Sequence, residues 1–355
     1  MPARPLLTYV VTQPGLETLA ATELRALGLK GPRVAHGGLT VRMNNAELYA
    51  ANLHLRTASR VLLRVADGKA ENFAELTSLV RSVPWHRWLR TGVGPADVKV
   101  TCTHSRLHHS GAVTERVLDL LGPLGGAAVH IRIVEDSAVL SIDSSGDHLH
   151  RRGWRLETAK APLRETLAAA LLQVAGWTPD RPIYDPTCGS GTIVIEAAQM
   201  AAGIPAGWNR HFAFQDWPGF HPEVWERVRA TIGPPRPLRP GVTLTGSDRD
   251  AGAIAAAQAN AERAGVADIV QFLAVPISQA KPPTNALIVT NPPYGVRVGG
   301  GGDPRNLYAS LGQLSRGHEL AVIAADSALL AHIRPGLVVQ AQTTNGGIPV
   351  RLVTG

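Results

Sequence analysis

Residues 287–295, LIVTNPPYG, constrain the fold more than any other stretch of this chain. An apolar, β-branched run (Leu287, Ile288, Val289, Thr290) stops at Asn291, and Pro292 and Pro293 then forbid both a sheet ladder and a helix. The chain must therefore present an amide, two prolines and the ring of Tyr294 at the carboxyl end of a strand. Residues 184–192, YDPTCGSGT, have the same shape. Ile183 and Tyr184 close an apolar run, Asp185 stands at the strand end, and Gly189 and Gly191 bracket a turn before a helical run at 193–200. In open α/β sheets ligands bind at the carboxyl edge, so the pair implies one parallel sheet presenting two ligands side by side.

The rest of the composition narrows the setting. At 355 residues the chain suits two or three domains, and its 45% hydrophobic content is ordinary for a globular protein. No apolar run reaches the roughly 18 residues of a membrane span. The N-terminus, MPARPLLTYVVTQPG, lacks a signal peptide's apolar core and cleavage site, so a soluble, cytoplasmic protein is expected. Cys102 and Cys188 are too few for a disulfide framework or a thiolate zinc site. A net charge of +7 favours a polyanionic partner, although the dominance of arginine over lysine also fits a general Arg, Ala, Gly and Pro bias.

Residues 1–65 read as a small α+β unit, with strands at 6–12, 37–42 and 60–66 and helices at 15–27 and 45–53. A second unit, 66–150, has helices at 73–83 and 110–121 and strands at 97–103, 129–135 and 138–143, with a hairpin turn at Glu135-Asp136. His104, His108 and His109 have no acid or thiol at metal-ligand spacing and read as solvated or facing RNA. Arg81, Arg87, Arg90 and Arg106 form a basic, aromatic face with Trp85 and Trp88, unless those tryptophans are core. The stretch 148–164, HLHRRGWRLETAKAPLR, sets Arg151, Arg152, Arg155, Lys160 and Arg164 against Glu157. Its segment 151–162 is the expected linker and the best local candidate for phosphate contacts. Beyond it, 163–355 alternates helices and strands in a seven-strand pattern, with a glycine run at 299–302 suited to a gating loop. An insertion at 202–241 carries Trp208, Trp217 and Trp225, and its aromatic segment 209–217 is expected to pack over the ligand edge.

The two motifs carry the chemistry. The turn formed by Thr187, Cys188, Gly189, Ser190 and Gly191 brings backbone N–H groups and a helix N-terminus close to a ligand. It lacks the Gly-Lys-Ser/Thr of a P-loop, and Ile193 and Val194 break the dinucleotide spacing. What remains is Asp185 and a second acid, Asp248, placed to accept ribose hydroxyls or else to cap the helix starting near Ala251. Together these favour a nucleoside cofactor without a pyrophosphate and point to S-adenosyl-L-methionine. At the other tip, the Asn291 side-chain oxygen and the Pro292 carbonyl are placed to accept both protons of an exocyclic base amine. Pro293 stiffens that geometry, and Tyr294 offers a face for a base drawn out of its stack.

With these motifs, 185–192 and 291–294 resemble the class I, Rossmann-like S-adenosyl-L-methionine-dependent methyltransferases that act on exocyclic base amines. The runs HRRGW at 150–154, APLRETLA at 161–168, IEAA at 195–198 and FQDW at 214–217 resemble more narrowly the THUMP-domain guanine-N2 RNA methyltransferases, bacterial 23S rRNA enzymes among them. The resemblance implies an α/β chain: a seven-stranded mixed sheet at 163–355, a ferredoxin-like domain at 1–65, a THUMP RNA-binding domain at 66–150 and a basic linker at 151–162. It further implies a monomer that methylates N2 of a guanine in structured RNA, rRNA ahead of tRNA. Adenine-N6 methylation of DNA and a non-catalytic RNA-binding assembly role are the rivals. The sequence departs from the family pattern at Val275-Pro276, where an acid usually reads the adenine amine, and it shows one methyltransferase domain rather than two.

Overall fold

A computed structural model describes residues 5–156, 163–293 and 303–355. The N-terminal half runs β1 (Leu6–Thr12), α1 (Glu17–Ala26), β2 (Arg33–Ala35), β3 (Gly38–Met43), α2 (Asn45–His54), β4 (Ala58–Lys69), α3 (Phe73–Arg81), β5 (Asp97–Thr103), α4 (Ser110–Leu121), β6 (Ala128–Val134) and β7 (Ser137–Asp143). Local chemistry sets several of these boundaries. Asn44 and Glu47 form a capping box that starts α2. Glu135 and Asp136 both take positive φ, which lets a two-residue turn close the β6–β7 hairpin with the right twist.

All seven strands form one sheet, in the order β2-β3-β1-β4-β7-β6-β5. β4 is longer than the expected strand at 60–66. Its first half pairs with β1 and its second with β7, so the position dividing 1–65 from 66–150 lies inside a continuous strand. Trp85 and Trp88 belong to the core beneath this sheet, and the Trp85 indole N–H donates to the Val80 carbonyl at 2.7 Å. The basic, aromatic face is therefore not built from these tryptophans; only guanidiniums such as that of Arg87, 5.4 Å from the Trp88 ring centroid, reach outward.

The C-terminal half contains α5 (Glu165–Val174), β8 (Ile183–Asp185), α6 (Thr192–Ala202), α7 (Pro222–Ala230), β9 (Leu244–Asp248), α8 (Ala251–Arg263), β10 (Gln271–Ala274), β11 (Leu287–Thr290), α9 (Pro304–Leu314), β12 (Leu320–Ala324), α10 (Ser327–Leu330), β13 (Val338–Asn345) and β14 (Ile348–Thr354). The sheet order is β10-β9-β8-β11-β12-β14-β13. β8 to β12 run parallel, while β14 is antiparallel to both neighbours, giving the expected seven-stranded mixed sheet. From β8 the chain steps outward to β9 and β10, then returns to β11 on the other side, so the order reverses between β8 and β11.

Two expectations fail, both because the halves pack on each other. The insertion does not cover the ligand edge: Phe212, Phe214, Trp217 and Trp225 join the N-terminal core, and Phe214 stacks on Tyr49 with centroids 4.3 Å apart. Main-chain bonds from Phe214 N–H to the Ser144 carbonyl and from Gly219 N–H to the Arg87 carbonyl fix it there. Nor do the linker arginines all face phosphate. Arg152 is buried and bonds Glu196 of α6 at 3.2 Å, and Arg155 bonds Glu165 of α5 at 2.8 Å. A buried guanidinium needs a carboxylate, and each of these helices offers one in an otherwise apolar face. No helix among the described residues is long and apolar enough to cross a membrane.

Candidate functional site

The order reversal brings three strand ends together. β8 ends at Asp185, its neighbour β9 at Asp248, and its other neighbour β11 at Thr290, followed by Asn291 and Pro292. The three expected groups, the glycine turn, the ribose-binding acid and the amide tip, thus share one edge. Tyr294 and the glycine run at 299–302 lie outside the described residues.

The turn after β8 is held from both sides. Thr187 N–H donates to Asp185 Oδ1 at 3.1 Å, and Gly189 N–H donates to Asp248 Oδ2 at 3.0 Å. Gly191 sits in the left-handed region at φ 83° and is the N-cap of α6. A Cβ there would lie 2.8 Å from the Phe272 ring and 3.0 Å from the Ala257 Cβ, so only glycine allows the helix this close to β10 and α8. The Ser190 carbonyl accepts from the buried Asn260 amide at 3.2 Å. Burial pushes the Cys188 thiol far above its ordinary range, so it contributes backbone geometry rather than a thiolate.

Asp248 does not cap α8. Asp250 does, accepting from the N–H groups of Gly252 and Ala253 at 2.8 and 3.3 Å. Asp248 instead accepts one backbone N–H on each oxygen, from Gly189 and Asp250. A carboxylate has about four lone-pair sites, so acceptors remain for a diol. The geometry therefore excludes capping of α8 by Asp248.

A hydroxyl bridge that sequence reasoning missed ties the turn to the amide tip. Thr290 Oγ1 donates to Asp185 Oδ1 at 2.7 Å, and Thr187 Oγ1 lies 2.6 Å from Thr290 Oγ1. Thr290 has one proton, so with Asp185 ionised Thr187 is the donor to Thr290. The available signal was a threonine as the last strand residue before Asn291; β-branching hid it, because threonine also suits a strand.

Asn291 Oδ1 is the most telling atom of the site. It is buried and has no hydrogen-bond partner among the described residues, just past the end of the strand that bonds directly to β8. A buried acceptor without a donor costs free energy, and such exceptions call for a ligand or a functional reason. The site thus offers an acceptor for an N–H donor beside the glycine turn and the Asp248 carboxylate. Among the described residues no group of three or more His, Cys, Asp or Glu is placed to hold a metal ion.

Comparison with known proteins follows the same lines. Residues 152–352 match the family described as RMKL-like, methyltransferase domain, and residues 8–62 match the RlmL ferredoxin-like domain. YpsC, a candidate RNA methyltransferase of Bacillus subtilis (strain 168), is 35% identical over 325 residues, covering 86% of this chain and 84% of its own. The ribosomal RNA large subunit methyltransferase K/L of Vibrio cholerae serotype O1 is 33% identical over 364 residues, covering 96% of this chain and 51% of that protein. The chain therefore spans about half the length of the K/L proteins it matches. Among solved structures, SMU.472, a candidate methyltransferase complexed with SAH, aligns at a TM-score of 0.86 and 27% identity over 99% of this chain and 98% of its own. With the family match covering more than half of its length, the chain belongs to the RMKL-like methyltransferase family, a class I methyltransferase fold preceded by a ferredoxin-like domain.

Proposed function

We propose that the protein transfers the methyl group of S-adenosyl-L-methionine to the exocyclic N2 amine of a guanine in RNA, with large-subunit ribosomal RNA as the substrate. The observation that carries this reading is the buried Asn291 Oδ1, without a hydrogen-bond partner among the described residues, just past the strand next to the cofactor turn. An exocyclic base amine is a poor nucleophile because its lone pair is delocalised into the ring. Accepting its two protons on Asn291 Oδ1 and the Pro292 carbonyl returns electron density to the nitrogen and turns the lone pair toward the cofactor. S-adenosyl-L-methionine, when bound, would supply the methyl group on its sulfonium, and Asn291 and Pro292 would hold the amine nitrogen toward it, the amine giving up one proton to solvent as its new N–methyl bond replaces the methyl–sulfur bond. Tyr294 is assigned to stacking the extruded base.

RNA is favoured by the relatives named for RNA and by the net charge of +7. We assign 1–65 to a ferredoxin-like domain, 66–150 to a THUMP RNA-binding domain and 163–355 to catalysis, with the shared strand β4 joining the first two. Incubation with labelled cofactor and, separately, protein-free 23S rRNA, bulk tRNA and DNA tests the reading. Label should enter 23S rRNA as N2-methylguanine, and Asn291→Ala should lower the rate on the order of 10²–10³-fold, as loss of a preorganised transition-state contact does. Label confined to tRNA or to DNA adenine would replace the substrate named here. An undiminished Asn291→Ala enzyme would sink the mechanism.

A further inference from the structure

Six of the seven tryptophans are no more than 8% exposed, whereas Trp208 is 40% exposed. A single exposed aromatic is unremarkable. Trp208, however, lines a cavity of about 230 Å³, together with Gly203, Ile204, Pro235, Glu262 and Arg263. Its ring also carries an arginine. The Arg229 guanidinium lies 4.8 Å from the Trp208 ring centroid and 5.9 Å from that of Trp225, held between two indoles. Neither Arg229 nor Arg236 has a carboxylate partner among the described residues. The Arg236 guanidinium lies beside Gly203 of the cavity lining, where a Cβ would come within 2.9 Å of its Nη2. Cation–π contact satisfies the faces of a guanidinium and leaves its in-plane N–H donors free. The cavity therefore sets a half-exposed indole in its wall beside two guanidiniums that lie next to its lining.

The position is remote from the chemistry. α6 and α8 start at the carboxyl edge of the sheet and run back to the opposite edge, and the cavity is formed where they end. At 1.5 Å per residue, the 11 residues of α6 place it roughly 16 Å from the cofactor turn. The ligand whose chemistry matches is a planar base with a flanking phosphate. We propose that this cavity is a second RNA contact that takes one unpaired nucleotide of the substrate, far from the target base. The base stacks on Trp208, the phosphate bridges Arg229 and Arg236, and the Glu262 carboxylate accepts from a base amine. The site performs no chemistry; it anchors the polymer so that the target arrives in register. This inference rests on RNA being the substrate, but its readout does not depend on methyl transfer.

Because the other six indoles are buried, the acrylamide-accessible part of the tryptophan emission reports on Trp208. Oligoadenylate RNA titrated into the full chain should quench that emission and shield it from acrylamide, and Trp208→Phe should abolish the response. Trp208→Ala should weaken oligoadenylate binding about 5- to 100-fold, the fold-change expected for one lost base stack. Arg229→Gln should lower the slope of log affinity against log salt by about one. Trp208→Ala changes an exposed side chain and keeps the test open if Arg229→Gln misfolds by circular dichroism. An oligonucleotide that does not bind, or that binds without altering Trp208 emission, overturns the proposal. So does equal affinity in Trp208→Ala, or a response to oligodeoxyadenylate alone. An Asn291→Ala enzyme that has lost methyl transfer but keeps the emission response separates this site from the catalytic one.

Discussion

Asp185 is a carboxylate almost without water, and burial outweighs everything else acting on it. Desolvation pushes its pKa up to about 7, against the donated bonds from Thr290 and Thr187 and with the charge of Asp248 adding to the rise. The unfolded chain releases this proton near the ordinary carboxylate range, so between about 4 and 7 the folded protein holds more protons, and this group's contribution to stability falls as pH rises. A cationic ligand beside Asp185 reverses that balance by favouring the ionised form. Calorimetric titration with S-adenosylhomocysteine, whose amino-acid end carries an ammonium group, should show affinity rising from pH 6 to 8 with proton release near 7; Asp185→Asn should remove both. Thr290→Val deletes a donor to Asp185, so it should move the pH midpoint upward and lower the rate, and Thr290→Ser should restore both. An unshifted midpoint in Thr290→Val would show that the hydroxyl bridge does not act on Asp185. At this scale the sequence singled out Asp185, Asp248, the turn and Asn291 as candidates, because each has a residue type its neighbours cannot explain. Thr290 escaped notice because a threonine in a strand needs no explanation.

Elements were legible where their periodicity answered to a local partner. The parallel strands read as short apolar runs, and all seven strands of the C-terminal sheet were anticipated. What could not be read was the partner of an element whose contacts lie far away in the chain. The aromatic density of 209–217 announced a packed segment, yet nothing in it named Tyr49 on α2 as the surface it would meet. The run HRRGWR reads as a phosphate-binding linker, while the answering acids, Glu165 and Glu196, lie on two later helices. A lone glutamate in TIVIEAAQMAA was the overlooked clue, since an acid among ten buried positions requires a cation. The insertion yields a prediction at this scale. Phe214 is fully buried, stacked on Tyr49 and in edge contact with Trp225, so Phe214→Ala should cost roughly 3–5 kcal/mol, read as a lowered midpoint in denaturant. If the insertion instead lay loosely on the N-terminal half, the midpoint would barely move.

Across the whole molecule, the two sheets are joined through a buried ionic cluster rather than a bare linker. Glu196 of α6 accepts from Arg56, which follows α2, and from Arg152, while the Arg152 guanidinium also donates to the Arg56 carbonyl at 2.7 Å. Beside it, Glu23 of α1 accepts from the Gln173 amide of α5 at 2.6 Å and from the Arg56 N–H at 3.0 Å. Burial alone would raise the Glu196 carboxyl; Arg152 and Arg56 overcome it and hold it below the ordinary range. Its stabilisation is therefore complete above the ordinary carboxylate range and is lost as pH falls through the lowered folded value, the opposite sense to Asp185. A glutamine at 196 keeps the shape but leaves two guanidiniums without a counter-charge, one of them fully buried. Removing one partner of a buried ion pair costs about 3–5 kcal/mol. Since that loss falls on the junction, Glu196→Gln should both lower Tm and split a single calorimetric endotherm into two, one for each sheet. A Glu196→Gln protein that still melts in one transition at the native temperature would show that the aromatic insertion alone couples the halves.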